Sequence, residues 1–226
     1  MPVSVLTKRG LTVIGARLSA ASLLKLQAVV NYLRLGRWMW ERGFIPIDRV
    51  SNREAVWDRI AEQVADQDVL YLEFGVAGGA SMAYWSRLLS NPRSQLHGFD
   101  SFEGLPESGG PWQRGNFDAG GNVPVIDDPR VQFFKGWFND VLPGYDVPSH
   151  DVLVINMDAD LYSSTIYVLR HLRSHIRPGT IIYFDELNHM DHEPRAFDAF
   201  VEETGLKFEL VAVDHTMAFA GFKCVR

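Results

Sequence analysis

Five short apolar runs recur along the chain, and the first, fourth and fifth are followed by a turn and then by residues with helical spacing. The runs are VLYLEFGV (69–76), SQLHGFD (94–100), VQFFKGW (131–137), DVLVINMDAD (151–160) and TIIYFDE (180–186). The fourth is apolar almost throughout, as a strand covered on both faces must be. Helical periodicity follows Ser51-Asn52-Arg53-Glu54 to about Val64, begins again at AYWSRLLS, and returns over 163–176 and 193–204. The first of these starts has the form of a capping box, with Ser51 as N-cap and Glu54 three residues on. Ser163 or Ser164 is the expected cap of the helix at 163. Strands alternating with helices predict a parallel sheet. The last segment, FELVAVDHTMAFAGFKCV, reads as two β runs around Asp214-His215. So short a link joins strands only antiparallel. The expected fold class is therefore α/β, a doubly wound Rossmann-like domain whose mostly parallel sheet ends in an antiparallel C-terminal β-hairpin.

Two stretches stand outside this rhythm. Residues 1–50 carry a helical stretch and then Trp38, Trp40, Phe44 and Ile45 before Pro46. They are expected to form a helical extension ahead of a main domain at 51–226, packed on that domain or, in a sharper reading, acting as a lid or a subunit interface. The start has basic and apolar character, but Arg17 and Lys25 interrupt it, so it reads as an amphipathic helix and not as a membrane span or cleaved signal. Residues 101–126 hold six glycines and three prolines, a loop too long for a plain connector and so expected to be functional.

Bulk numbers narrow the class. The 226 residues suit one α/β domain with a small appendage, and 46% hydrophobic residues suffice for a filled core. A net charge of −6 argues against a nucleic-acid partner and leaves room for a cationic ligand. The single cysteine, Cys224, excludes an internal disulfide and reads as core. A cytoplasmic location follows as the default.

The candidate chemistry begins at YLEFGVAGG (71–79). In open α/β sheets, ligands bind beyond the carboxyl ends of the strands. Gly75, Gly78 and Gly79 let backbone approach a ligand closely. A dinucleotide fingerprint needs G-x-G-x-x-G, but Ala77 stands two after Gly75, and Glu73 would repel a pyrophosphate. An ammonium or sulfonium would be attracted. Asp100, ending the next run, is placed to accept from two ribose hydroxyls. The pattern fits a nucleoside-bearing cofactor without phosphates.

In that order, EFGVAGGAS, GFDSFEGLPE, KGWFNDVLP, MDADLYSST and FDEL resemble the macrocin O-methyltransferase (TylF-like) family of class I methyltransferases. The resemblance covers roughly residues 50 to 215. It implies transfer of methyl from S-adenosylmethionine to a hydroxyl of a sugar or glycosylated metabolite, aided by Mg²⁺ or another divalent cation. It assigns Asp158, Asp185 and Glu186 to the metal, with Asp158 and Asp160 catalytic and Asp160 the general base. The expected cofactor contacts are Glu73, Gly75, Gly79, Ser81, Asp100, Ser101, Gly136 and Trp137. Glu186 departs from the commoner Asp-Asp pair, and Ala77 from the glycine of many methyltransferase turns.

The chemistry gives these types a reason. A sugar hydroxyl is a very weak acid, and an aspartate near its reference pKa of about 3.9 is a poor base for it. A divalent cation acidifies a coordinated hydroxyl, so base and metal complement each other. Hard carboxylate oxygens suit Mg²⁺. His189 and Arg195 are candidate substrate contacts, each weighed against a plain surface role, and Trp137 could pack on adenine or in the core. The partner is a small-molecule or saccharide acceptor, with no nucleic acid and no membrane span, in a homo-oligomer. Catechol or phenol methylation, a nucleotide-binding oxidoreductase and a non-catalytic cofactor-binding module stand as alternatives. The oxidoreductase lacks its glycine fingerprint.

Overall fold

The computed structural model describes residues 4–46 and 48–226. These divide into two units, one up to Arg42 and one from Gly43 onward. The first holds helices α1 (Val5–Gly15) and α2 (Ala20–Arg42), so the single expected helical stretch is two helices. Ser4 caps α1 by accepting from the Thr7 N–H.

The second unit is built on seven strands: β1 (Val69–Phe74), β2 (Gln95–Asp100), β3 (Val131–Lys135), β4 (Val152–Met157), β5 (Ile181–Phe184), β6 (Phe208–Val213) and β7 (Ala220–Cys224). Their spatial order is β3-β2-β1-β4-β5-β7-β6. The first five are parallel, and β7 lies antiparallel to both β5 and β6. This is the expected α/β sheet with its antiparallel hairpin, and β7 is inserted between β5 and β6. The order in which strands are added reverses between β1 and β4, the switch point at which such sheets bind ligands.

Helices α3 (Arg53–Val64), α4 (Ala80–Leu88), α5 (Phe138–Val141), α6 (Tyr162–His171) and α7 (Glu193–Thr204) complete the unit. On one side of the sheet Trp57, Ile60, Met82 and Trp85 pack on Tyr71, Val154 and Tyr183. Elsewhere in the core, Phe197 of α7 meets Phe184 and Phe222 at ring separations of 5.1 and 5.2 Å. Aromatic rings dominate these contacts because each removes a large apolar area from water. Phe44, expected to belong to the extension, joins this layer 4.8 Å from Phe222. Cys224 is buried, as read from the sequence.

Two expected caps are wrong by position. Asn52, not Ser51, caps α3, accepting from the Ala55 N–H at 3.0 Å. Its extended backbone points the amide oxygen at the helix start, while the Ser51 hydroxyl donates to that same oxygen. α6 begins at Tyr162, and neither Ser163 nor Ser164 caps it. Ser163 already lies inside the helix and donates to Glu107 at 2.5 Å. The Asp214 expected at the final turn is buried and gathers the N–H groups of Thr216, Ala218 and Phe219, which fixes the hairpin.

Candidate active site

Five parallel strands end at one edge, and the residues just past them stay in ladder register. The Gly75 N–H donates to Phe99, Gly136 to Asp100, Asp158 to Phe74 and Asp185 to Met157, all at 2.9 to 3.1 Å. Register therefore aligns the turn after β1 with the acids after β4 and β5. Beyond this edge lies a cavity of about 750 Å³. That volume is within the range of a cofactor site.

One side of the cavity is the turn after β1. Gly75 has φ +91, and a Cβ there would stand 1.8 Å from the Asp158 carbonyl oxygen. The glycine is thus required by the neighbouring loop as well as by any ligand. Ala77 takes φ 45, unusual for a side-chain-bearing residue. Asp100 holds it there: Oδ2 accepts from Val76 and Ala77 at 2.8 Å each, and Oδ1 accepts from Phe102 at 2.7 Å. Gly79, at φ +76, is the N-cap position of α4 and packs against Pro124.

Glu73 lies beneath the turn, fully buried, and does not line the cavity. It accepts from Ser81 at 2.6 Å, from Tyr71 at 2.6 Å and from Asn156 at 3.2 Å. Burial lifts its pKa to about 7 against the pull of those bonds. Of the expected cofactor contacts, Gly75, Asp100, Ser101, Gly136 and Trp137 line the cavity, whereas Glu73, Gly79 and Ser81 stand behind it.

The other side is acidic. Asp158, Asp160, Asp185 and Glu186 all line the cavity. Burial first, then the Asp185 and Asp160 charges, hold Asp158 well above the usual carboxylate range. Burial and Asp185 push Asp160 to about 7, and Glu186 likewise rises to about 7. Asp185 is also raised by burial, although it accepts from the Tyr183 hydroxyl at 2.6 Å. Asp160 has φ 58, a conformation that asparagine and aspartate tolerate best and that clusters at functional sites. No described residue donates a hydrogen bond to the Asp158 or Asp160 carboxylate.

This crowd of acids suits a cation. Among the described residues no group of three His, Cys, Asp or Glu side chains converges as a ready-made metal cage. Mg²⁺ commonly takes one or two carboxylates and keeps its waters, so the donor chemistry fits without such a cage.

His189 lies 3.3 Å from Glu186, with the Trp112 ring tilted against it at a centroid distance of 4.7 Å. It stands next to the acids but does not line the cavity. Arg195 lies over the Tyr162 ring at 4.3 Å and faces solvent. Several contributors escaped the sequence reading. Arg53, on the first turn of α3, lines the cavity and faces Asp185 and Asp158 electrostatically. Leu105, Glu107, Arg114 and Phe117 reach it from the long loop, which gives that loop a role at the site. Glu193, fully buried, accepts from the Glu186 N–H at 2.9 Å. Only the composition of 101–126 hinted at any of these.

Residues 114–221 match the family model described as Macrocin-O-methyltransferase (TylF). Over that stretch, a little under half of its length, the chain is similar to that family. A tetracenomycin-type 4'-O-methyltransferase of Streptomyces olivaceus, acting on a dimethoxy-rhamnosyl compound by its name, is 31% identical over 63% of this chain and 61% of its own length. Mycinamicin III 3''-O-methyltransferase of Micromonospora griseorubida is 32% identical over 53% of this chain and 44% of its own. The chain thus spans less than two thirds of the curated relatives it matches. Among solved structures, the calicheamicin methyltransferase CalS11 superposes with a TM-score of 0.57 at 22% identity, covering 76% of each chain. The O-methyltransferase NovP superposes at 0.55 with 24% identity, over 77% of this chain and 78% of its own. These superpositions establish the class I methyltransferase fold.

Proposed function

We propose that this TylF-like chain transfers methyl from S-adenosylmethionine to a sugar hydroxyl, with a divalent cation held by Asp158, Asp185 and Glu186. The observation that carries the reading is one cavity at five strand ends, with a self-supported glycine turn on one side and under-bonded carboxylates on the other. The name of the tetracenomycin-type relative gives that enzyme a rhamnosyl compound to methylate, which favours a saccharide acceptor.

When bound, S-adenosylmethionine supplies an activated methyl electrophile and departs as a neutral thioether. A divalent cation, when bound, supplies charge that acidifies an acceptor hydroxyl. The chain's own residues do the rest. Gly75 and Gly136 leave room for a nucleoside, and Trp137 offers an aromatic wall. Asp160 would take the proton of the acceptor hydroxyl, whose oxygen a bound S-adenosylmethionine would methylate. Burial and the Asp185 charge lift the Asp160 pKa to about 7 before any cation binds, above that of an ordinary aspartate. Arg53 balances part of the acidic charge around Asp185 and Asp158. The long loop screens the reacting atoms from water.

Calorimetry with S-adenosylhomocysteine, followed by product analysis on free and glycoside-linked sugars, tests the reading. Micromolar binding and a methylated sugar are expected. Absence of binding at millimolar ligand would sink the proposal. Undiminished turnover after exhaustive EDTA treatment would remove the cation and leave the methyl transfer.

A further inference from the structure

The two units differ in charge as sharply as in fold. Residues up to Arg42 carry seven basic side chains and one acid, Glu41, a net of +6. The remainder carries fifteen basic and twenty-seven acidic residues, a net of −12. Apolar exposure is equally uneven. Fourteen of the nineteen large apolar side chains exposed among the described residues lie before residue 43.

Helical geometry sorts them. At 100° per residue, Leu6, Leu11, Val13 and Ile14 fall on one arc of α1, with Lys8, Arg9, Thr12 and the exposed Val5 of the first turn on the other. On α2, Leu26, Val29, Val30, Leu33 and Trp40 share a stripe in which the last two are each 69% exposed. Lys25 flanks that stripe, and Arg37, which ion-pairs with Glu41, sits within it. Long basic side chains at such a border can keep their stems on apolar surface and their charge in water. Among the described residues no helix is long and apolar enough to cross a membrane.

We propose that α1 and α2 dock the protein on an anionic lipid surface, lying in the interface and not spanning it. Charge complementarity selects this occupant over a second copy of the chain. Helices of a second copy carry the same +6 and repel. The acidic remainder of a second copy attracts, but it exposes only five large apolar side chains, three of them (Phe117, Val123 and Val125) in one loop. An anionic bilayer meets both demands: acyl chains for the stripe and headgroup charge for the basic residues. The −12 of the remainder opposes general adsorption, so attachment is local to the helices.

Vesicle co-sedimentation of the full chain tests this. The probes are phosphatidylcholine vesicles, and vesicles of phosphatidylcholine and phosphatidylglycerol in about equal parts. The expected result is binding at least about tenfold tighter to the anionic vesicles and weakening with salt. The pair Lys8→Glu with Arg9→Glu should weaken it by about tenfold, and Leu33→Ser with Trp40→Ser should remove what persists in high salt. Melting temperature and S-adenosylhomocysteine affinity, unchanged in both variants, show that the main unit is intact. Equal affinity for both vesicle types, or charge reversal without effect, overturns the proposal. So does a dimer in analytical ultracentrifugation that Leu33→Ser dissociates, when anionic vesicles fail to bind. Each of these readouts is independent of methyl transfer.

Discussion

The two sides of the cavity both place carboxylates at strand ends, yet use them oppositely. On the turn side, Asp100 and Glu73 are saturated by their own protein: three backbone N–H groups on one, three side-chain donors on the other. Across the cavity, Asp158 and Asp160 receive no hydrogen bond from a described residue, and Asp185 receives one, from Tyr183. Saturated carboxylates fix a shape, and under-bonded ones await a cation or a proton. Burial alone does not tell them apart, because it raises Glu73 and Asp160 alike to about 7. The count of donors does.

Four experiments sharpen this contrast, beginning with the largest effect. Asp160→Asn should lower kcat by about 10²- to 10⁴-fold while S-adenosylhomocysteine affinity stays within about threefold, since the residue is the proposed base and not a proposed cofactor contact. Asparagine keeps the φ 58 backbone accessible, so steady-state kinetics would isolate the carboxylate. Full activity would move Asp160 to the saturated, structural class.

Gly75→Ala joins the two sides directly. Its Cβ would collide with the Asp158 carbonyl at 1.8 Å, on a backbone already at positive φ. A loss of about 3 kcal/mol or more in denaturant unfolding is expected. A wild-type unfolding midpoint would show that the acid loop can yield.

Asp100→Asn should cost about 1–3 kcal/mol, because one of its two acceptor positions becomes a donor facing an N–H. S-adenosylhomocysteine affinity should fall with it, as Ala77 loses its anchor. If calorimetry shows affinity falling with no change in stability, Asp100 meets the ligand directly and the contrast weakens.

The smallest effect is in pH. Folded-state pKa values of Asp160 and Glu186 lie above their ordinary 3.8 and 4.5. The folded protein therefore holds protons that the unfolded chain has released, and stability falls as pH rises from about 4.5 through about 7. Melting temperatures across that window should decline in the ligand-free protein, and Asp160→Asn should flatten the decline. A stability that rises across the window would contradict the crowding of these acids.

The order of the five runs, their helices and the terminal hairpin were legible because a strand's apolar period depends only on neighbouring residues. Helix α7 was read to the residue, since the step from loop acids to an apolar period is local. The caps were not. Choosing between Ser51 and Asn52 depends on the backbone direction entering α3, which the sheet imposes. Arg53 was invisible as a cavity residue for the same reason: it is one more polar position at a helix start until α3 is packed on the sheet.

The sequence by itself determined which residue types stand at which strand ends: glycines after β1 and acids after β2, β4 and β5. Hydrophobic periodicity and turn chemistry are short-range, so they survive in one dimension. Only the tertiary structure decided which acids are saturated and which are not. Tyr71, Asn156 and Ser81 lie 2, 83 and 8 positions from Glu73, and they meet it because β1, β4 and α4 are packed side by side. Gly75, read as room for a ligand, is also fixed by a carbonyl 83 residues away, at Asp158. Sheet register brings such groups together, and it is a property of the folded chain as a whole.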